Sequence, residues 1–326
     1  MPFLPSDVHV NTPLTNYSVA IIQDKAKFIA ANAFSAIPVA KQSDIFYKIP
    51  PGAFHRREMK RRAPGAPVER ANLLTESDTY RCDSFSLGTE VPDETKANAD
   101  AALNPDFEAT EFLTHQALLN REKAFADTFF KASVWTGDQT GVSGAPSSNQ
   151  FKQWNDETST PIEDVQRLAT VIHQRTGFRP NTMIVGRPTF DALLNHPDII
   201  DRVKYGQIAG GPAMADLNIM AQLFKVSRFL VGDAIENTAA EGATDSNSFI
   251  FGKAAMLCYA GSPGLRSVSA GHMFSWRGMN GTGSTGTRIL QRRDDAIRSD
   301  VFEIDDYFDY KVISADLGVY LASAVA

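Results

Sequence analysis

The chain has 326 residues, 43% of them hydrophobic and 21% charged, with 32 Lys and Arg against 38 Asp and Glu for a formal net charge of -6. That is an ordinary globular composition, enough for one large domain or two modest ones, and it excludes a polycation or a low-complexity chain. No apolar run approaches the ~18 residues of a membrane span, and MPFLPSDVHVNTPLTNY shows no basic segment followed by an apolar core, so a protein made and used in soluble form is expected.

Residues 14–35 place Val19, Ile22, Ala26, Ile29 and Ala33 at spacings of three and four, which predicts a helix with one apolar stripe. From Ser43 to about Val91 the pattern changes to short strand-like pieces, DIFYKI and TYRCDSFSL, and these bracket FHRREMKRRAPGAPVER. That stretch, residues 54–70, holds six Lys and Arg against two acids. Such a run suggests either phosphate neutralisation or a contact with an acidic protein surface, and the rest of the chain is not basic. A long two-stranded excursion with a basic tip is expected.

Asn104-Pro105 marks a boundary, and PDFEATEFLTHQALLNREKAFADTFFKASVW then predicts a helix of about 28 residues, longer than the ~11–12 residue mean. Its apolar residues fall in two rows, Phe112-Leu119-Ala126-Phe130 and Leu118-Phe125-Phe129, which leaves Glu108, Glu111, Arg121, Glu122 and Lys123 for water. After TGDQTGVSGAPSSNQ comes TPIEDVQRLATVIHQRTG. Here Thr160 is the expected N-cap, Pro161 the first helical residue, Glu163 the partner in a capping box and Gly177 the stop. Strand TMIV, helix PTFDALLN, helix DLNIMAQLF, strand RFLVG, strand SFIFGKAAMLCY and a partly stranded VFEIDDYFDYKVISADLGVYLAS follow. Without a regular βαβ rhythm, α+β fits better than a doubly wound sheet.

The chemistry-bearing motifs are few. GTGSTG at residues 281–286 satisfies G-x-G-x-x-G, but SWRGMN precedes it and TRILQRRDD follows, where a cofactor loop needs an apolar strand before and a helix after. The six histidines show no HxH or HExxH spacing, and Cys82 and Cys258 match no CxxC or zinc pattern, so no metal site is expected and both thiols are read as reduced, in a cytoplasmic compartment. No G-x-S-x-G elbow is present, so no catalytic residue and no cofactor is assigned. Asp294, Asp295, Asp300, Glu303, Asp305, Asp306 and Asp309 form an acidic segment opposed in sequence only by Arg298, best read as a solvated or partner-facing face.

The order of these elements resembles the major capsid proteins of tailed bacteriophages with the Hong Kong 97-type fold, over nearly the whole chain. The resemblance is carried by an arm (residues 1–42), a long two-stranded loop (43–90) and LGTEVPDETKANAD leading into the helix that would be the spine helix. WTGD, EDVQRLATVIHQRTG, NTMIVGRPTFDALL, DLNIMAQLFKVSRFLVGD, SFIFGKAAMLCY and DYKVISADLGVYL then follow in family order. It implies a peripheral domain with the spine helix over 91–160, an axial domain with an adjoining peripheral helix over 161–290, and a C-terminal return to the peripheral domain over 291–326. It further implies a non-enzymatic shell subunit that forms hexamers and pentamers, encloses double-stranded DNA without sequence-specific binding, and meets a separate scaffolding protein, a portal and decoration protein. Such a subunit assembles in the host cytoplasm and ends in the virion capsid. Some relatives crosslink a loop lysine to a peripheral asparagine; residues 281–326 contain no asparagine, so Lys48 and Lys60 lack that partner and non-covalent assembly is expected.

On this reading Arg56, Arg57, Lys60, Arg61 and Arg62 project from one subunit onto acidic ground of a neighbour, with Asp294, Asp295, Asp305, Asp306 and Asp309 as the expected receivers. An acidic chain also suits a container, because a wall lined with cations would bind DNA tightly. Two other readings stay open: an encapsulin-like nanocompartment subunit sharing the fold, and a nucleotide-using enzyme resting on GTGSTG alone.

Overall fold

A computed structural model of the chain describes residues 27–48, 51–72, 75–99, 104–206, 217–264, 267–280 and 288–326. Of the helix expected over 14–35, the described part holds only one turn, α1 (Ala30–Ala33), and residues 14–26 lie outside the described residues. The chain becomes extended at Phe34 (φ -122°, ψ 139°) and enters β1 (Ala36–Val39). β2 (Ser43–Lys48) then runs out to the short helix α2 (Pro51–His55), and the chain returns along β3 (Glu76–Arg81), antiparallel to β2 with Ser43 opposite Arg81 and Lys48 opposite Glu76. This is the expected two-stranded excursion, but shorter: TYRCDSFSL is split, and its second half belongs to a strand that pairs with the main sheet instead. β4 (Asp83–Pro92) and α3 (Asp93–Asn98) lead out of it.

The long helix α4 (Pro105–Phe129) starts where Asn104 and Pro105 place it: the Asn104 side chain accepts from the Phe107 amide at 3.3 Å. It stops at Phe129, short of Trp135, because the Trp135 indole folds back and donates to the Phe129 carbonyl at 2.8 Å. Phe125, Ala126 and Phe129 are buried as their spacing predicts, but Phe112 is half exposed and Leu113 takes the buried place instead. Arg121 and Glu122, expected to face water, are both buried. A helical pattern records only which residues are apolar, and these two are buried with polar partners, described below.

Next come β5 (Gln139–Val142), β6 (Gln150–Lys152), α5 (Pro161–Thr176), β7 (Thr182–Gly186), α6 (Arg187–Leu194), α7 (Pro197–Gly206), α8 (Leu217–Leu223), β8 (Arg228–Gly232), β9 (Ile235–Asn237), β10 (Asn247–Phe249) and β11 (Ala255–Cys258). β12 (Gly271–Trp276), α9 (Arg277–Asn280), β13 (Arg288–Asp294), β14 (Ser299–Val312), a 3-10 turn (Ala315–Leu317) and β15 (Gly318–Ala322) complete the described chain. In α5, Pro161 is the first residue and Gly177 ends the helix at φ 77°, its amide donating to the His173 carbonyl at 2.8 Å. The capping box does not form: the Thr160 side chain makes no cap bond, and Glu163 lies 3.9 Å from Arg202. SFIFGKAAMLCY is two strands rather than one, since Gly252 turns the chain at φ 53° between β10 and β11.

Two sheets organise the molecule. The six-stranded sheet runs β6-β5-β15-β11-β7-β8, and β7 and β11 are buried at every residue. Alternate side chains explain why: Met183, Val185, Ala255 and Leu257 face α5, α6 and α8, while Ile184, Met256 and Cys258 face Phe125, Phe129 and Phe251. The five-stranded sheet runs β1-β12-β14-β13, with β4 also paired to β14, along ten residues from Ser299 opposite Pro92 to Phe308 opposite Asp83. Its Val91, Phe302 and Ile304 pack on Leu113 of α4, so the long helix touches both sheets. The fold is α+β, as the irregular order of elements predicts.

Candidate inter-subunit surfaces

Among the described residues the excursion from β2 to β3 is held chiefly at its base, with the His55 ring of α2 also lying beside Gly177. Phe46 packs at 5.4 Å from the Phe274 ring, Tyr80 stacks on the same ring at 4.6 Å, and Lys48 Nζ meets Asp78 at 2.5 Å and the Val312 carbonyl at 3.3 Å. Beyond that base, residues 54–65 are exposed throughout, including Phe54 and Met59, the latter 92% exposed. Tyr47 and Ile45 on the stem are exposed as well. Arg56 lies 3.6 Å from Glu58, and Lys60 pairs with Glu69. Among the described residues, Arg57, Arg61 and Arg62 make no ion pair. A basic, apolar-studded arm that buries almost nothing on its own chain has the makings of a docking element.

The acidic segment is arranged differently from its sequence. Lys96 bridges Asp106 (2.6 Å) and Asp300 (2.5 Å), and Arg293 reaches Asp93 (2.5 Å), Asp295 (3.4 Å) and Asp300 (3.4 Å). The hydrogen bond from Lys96, with that from Arg293, holds the Asp300 carboxyl below the usual range. Glu303 lies 2.9 Å from Arg292, and Asp305 accepts from the Ser86 hydroxyl at 2.7 Å. Asp309 accepts from the Arg81 amide at 3.0 Å and sits 3.7 Å from Lys311, with burial pushing its carboxyl up.

Asp306 is the clearest departure from expectation. It is 3% exposed, and the Arg121 guanidinium grips both carboxylate oxygens, Nε to Oδ2 at 2.5 Å and Nη2 to Oδ1 at 2.7 Å. β14 points this side chain inward, toward α4, so it has no surface to offer a neighbouring subunit. Burial raises its carboxyl, and Arg121 works against that shift. Asp305 and Asp309 are likewise engaged within the chain. What remains open is the turn joining β13 and β14, where Asp294 accepts from the Ala296 amide at 3.0 Å and Asp295 is 94% exposed. An acid row read from sequence counts neighbours in the chain; Asp300 finds Lys96 from 204 residues away and Asp306 finds Arg121 from 185, which no local pattern carries.

The thiols of Cys82 and Cys258 are free and buried, and burial pushes both up to about 12. Buried Ser159 and His196 approach at 2.9 Å, but the ring's Nδ1 accepts from the Asp198 amide at 3.2 Å, which leaves Nε2 as the protonated nitrogen. That ring cannot take a proton from the serine, and the pair ties the start of α5 to the start of α7. No helix among the described residues is long and apolar enough to cross a membrane. GTGSTG, residues 281–286, lies outside the described residues.

Comparison with known proteins agrees with this architecture. The family model described as phage major capsid protein E matches residues 144–270. Two curated relatives named major capsid protein align nearly end to end: that of Pseudomonas phage JBD67 is 26% identical over 95% of this chain and 96% of its own, and that of Burkholderia phage BcepMu 24% over 97% and 96%. Over nearly its whole length the chain is thus similar to phage major capsid proteins. Among solved structures, a phage-related protein from Bordetella bronchiseptica RB50 is similar with a TM-score of 0.69 at 21% identity, covering 92% of this chain and 93% of that one. The capsid of cyanophage P-SCSP1u is similar at 0.57 and 9% identity, covering 89% and 86%. The holo-SrpI encapsulin complex from Synechococcus elongatus PCC 7942 shares the fold at 0.54 and 9% identity, covering 95% and 94%. Against these capsid structures the α+β architecture is the Hong Kong 97-type capsid fold.

Proposed function

We propose that the chain acts without enzymatic activity, self-assembling as hexamers and pentamers into an icosahedral head that encloses double-stranded DNA. Residues 1–42 serve as arm, 43–90 as extended loop, 91–160 as peripheral domain with spine helix, 161–290 as axial domain with an adjoining peripheral helix, and 291–326 as the return to the peripheral domain. The observation that carries this reading is the loop: its tip displays Phe54, Met59 and three arginines with no ion pair among the described residues, while its base is fastened to the five-stranded sheet. A scaffolding protein, a portal and decoration protein are the expected partners during assembly in the host cytoplasm.

Within this reading the tip residues Arg56, Arg57, Lys60, Arg61 and Arg62 dock on a neighbour, with Asp294 and Asp295 the accessible acids of the segment. Exposed ion pairs contribute only ~0.2–1 kcal/mol each, so a cluster repeated around a ring matters more than one pair. Charge reversal at Arg61 and Arg62 should therefore abolish particle formation in low-salt reconstitution, and normal particles would count against the docking. Assembly without covalent links predicts that particles boiled in SDS run as a single 35.6 kDa band; a ladder would refute it. The shared fold of the encapsulin complex favours a second reading, a cargo compartment. Double-stranded DNA copurifying with the particles supports the head, and a copurifying enzyme in its place supports the compartment.

A further inference from the structure

Glu122 sits on α4 one residue beyond Arg121 and is fully buried. Its neighbour spends its charge on Asp306, on the β14 side. Glu122 turns to the arm instead: Oε1 accepts from the Ile29 amide at 3.0 Å and Oε2 from the Ala30 amide at 2.8 Å. These are the donors at the head of α1, which have no partner inside a helix of four residues. Phe34, the residue directly after that turn, packs on Phe125 (5.8 Å) and Phe129 (4.7 Å), and Phe28 meets the His115 ring at 5.6 Å. The arm is thus seated on the long helix by apolar contacts around one carboxyl group.

We propose that Glu122 is a pH-dependent latch holding the arm segment 28–34 on the long helix, seated more firmly when the carboxyl is protonated. Among the described residues the groups around it from every packed element are few. On its own helix Arg121 is committed to Asp306, Lys123 turns to Glu236 at 2.8 Å, and His115 lies two turns away against Phe28; β14 contributes Asp306 and the buried Tyr310 hydroxyl; the arm contributes two amides and, at its exposed edge, Lys27. Among the described residues no cation pairs with Glu122, so ionisation in place is costly even with two amides donating. Burial accordingly pushes the carboxyl up to about 7, from an ordinary 4.5, with the two amides pulling the other way.

The sign follows from linkage. Between pH 4.5 and 7 the seated state holds a proton that the released state has lost, so seating weakens as pH rises through that window and levels off above it. The largest change this allows is on the order of a hundredfold in the seating equilibrium. The latch belongs to the single chain, so it can be tested apart from assembly.

The measurement is amide hydrogen exchange of the peptide spanning 28–34 in the full-length chain from pH 5 to 8, corrected for intrinsic rates. Protection should fall by tenfold or more between pH 5.5 and 7.5. Glu122→Gln, which keeps an acceptor and carries no charge, should flatten that profile. His115→Gln removes the imidazole that meets Phe28 and should leave the profile unchanged. A wild-type profile flat from pH 5 to 8 overturns the latch without reference to any variant, and so does a slope that survives in Glu122→Gln or disappears in His115→Gln.

Discussion

The six-stranded sheet and the β2–β3 excursion solve opposite problems with neighbouring parts of one chain. β7 and β11 have side chains of both faces covered, by α5, α6 and α8 on one side and α4 on the other, so every apolar residue there finds its contacts within the subunit. The excursion leaves Ile45, Tyr47, Phe54, Met59 and Val68 in solvent and relies on a few contacts at its base. Apolar burial at roughly 25 cal/mol per Å² is what fixes a segment against its conformational entropy, and the tip has none of it on its own chain. The first region stabilises the subunit and the second is the surface proposed here for docking on a neighbour, so mutations should separate the two.

The largest stability loss should come from Asp306→Ala. Removing one partner of a buried pair takes from the Arg121 charge the carboxylate it grips with two nitrogens, which costs about 3–5 kcal/mol; thermal unfolding of the full chain checks it, and a shift of a degree or less would mean that the pair adds little. Leu257→Ala, in the all-buried β11, should cost about 2–5 kcal/mol through lost burial and the cavity left behind, read by urea unfolding. Gly177→Ala places a Cβ at φ 77°, close to the His55 ring, and should cost about 1–2 kcal/mol. Arg61→Glu with Arg62→Glu should move the stability of the isolated chain by less than about 0.5 kcal/mol while blocking assembly. An unfolding midpoint that drops several degrees in that double variant would show the tip packing on its own subunit and erase the contrast.

How far the sequence discloses this depends on which interactions make each part. Elements set by local chemistry stood out: the Asn104-Pro105 start of α4, the Pro161 start and Gly177 stop of α5, the strand TMIV of β7, the paired strands of the excursion. β12 and α7 were not anticipated, because GHMFSW reads as strand only once β1 and β14 flank it, and PDIIDRVKYG sits directly after another helix without a clear break. Phe112 and Leu113 exchange their expected places because α4 answers to two sheets, which turns its buried stripe. The charged residues were the least legible. Arg121 and Glu122 have the look of surface residues until Asp306, 185 residues on, and Ile29, 93 residues back, come into contact with them. That signal exists only in three dimensions, and it removes Asp306 from the surface proposed for a neighbour while leaving Asp294 and Asp295 there.

The most direct measurement is negative-stain electron microscopy with size-exclusion chromatography on the purified wild-type chain beside its Arg61→Glu/Arg62→Glu variant, each from infected lysate and from recombinant expression. Closed icosahedral shells, or hexamer and pentamer rings, in the wild type and folded but unassembled subunits in the variant are the predicted result. Wild-type protein that forms only small discrete oligomers from both sources, or a variant that assembles as well as the wild type, would contradict it.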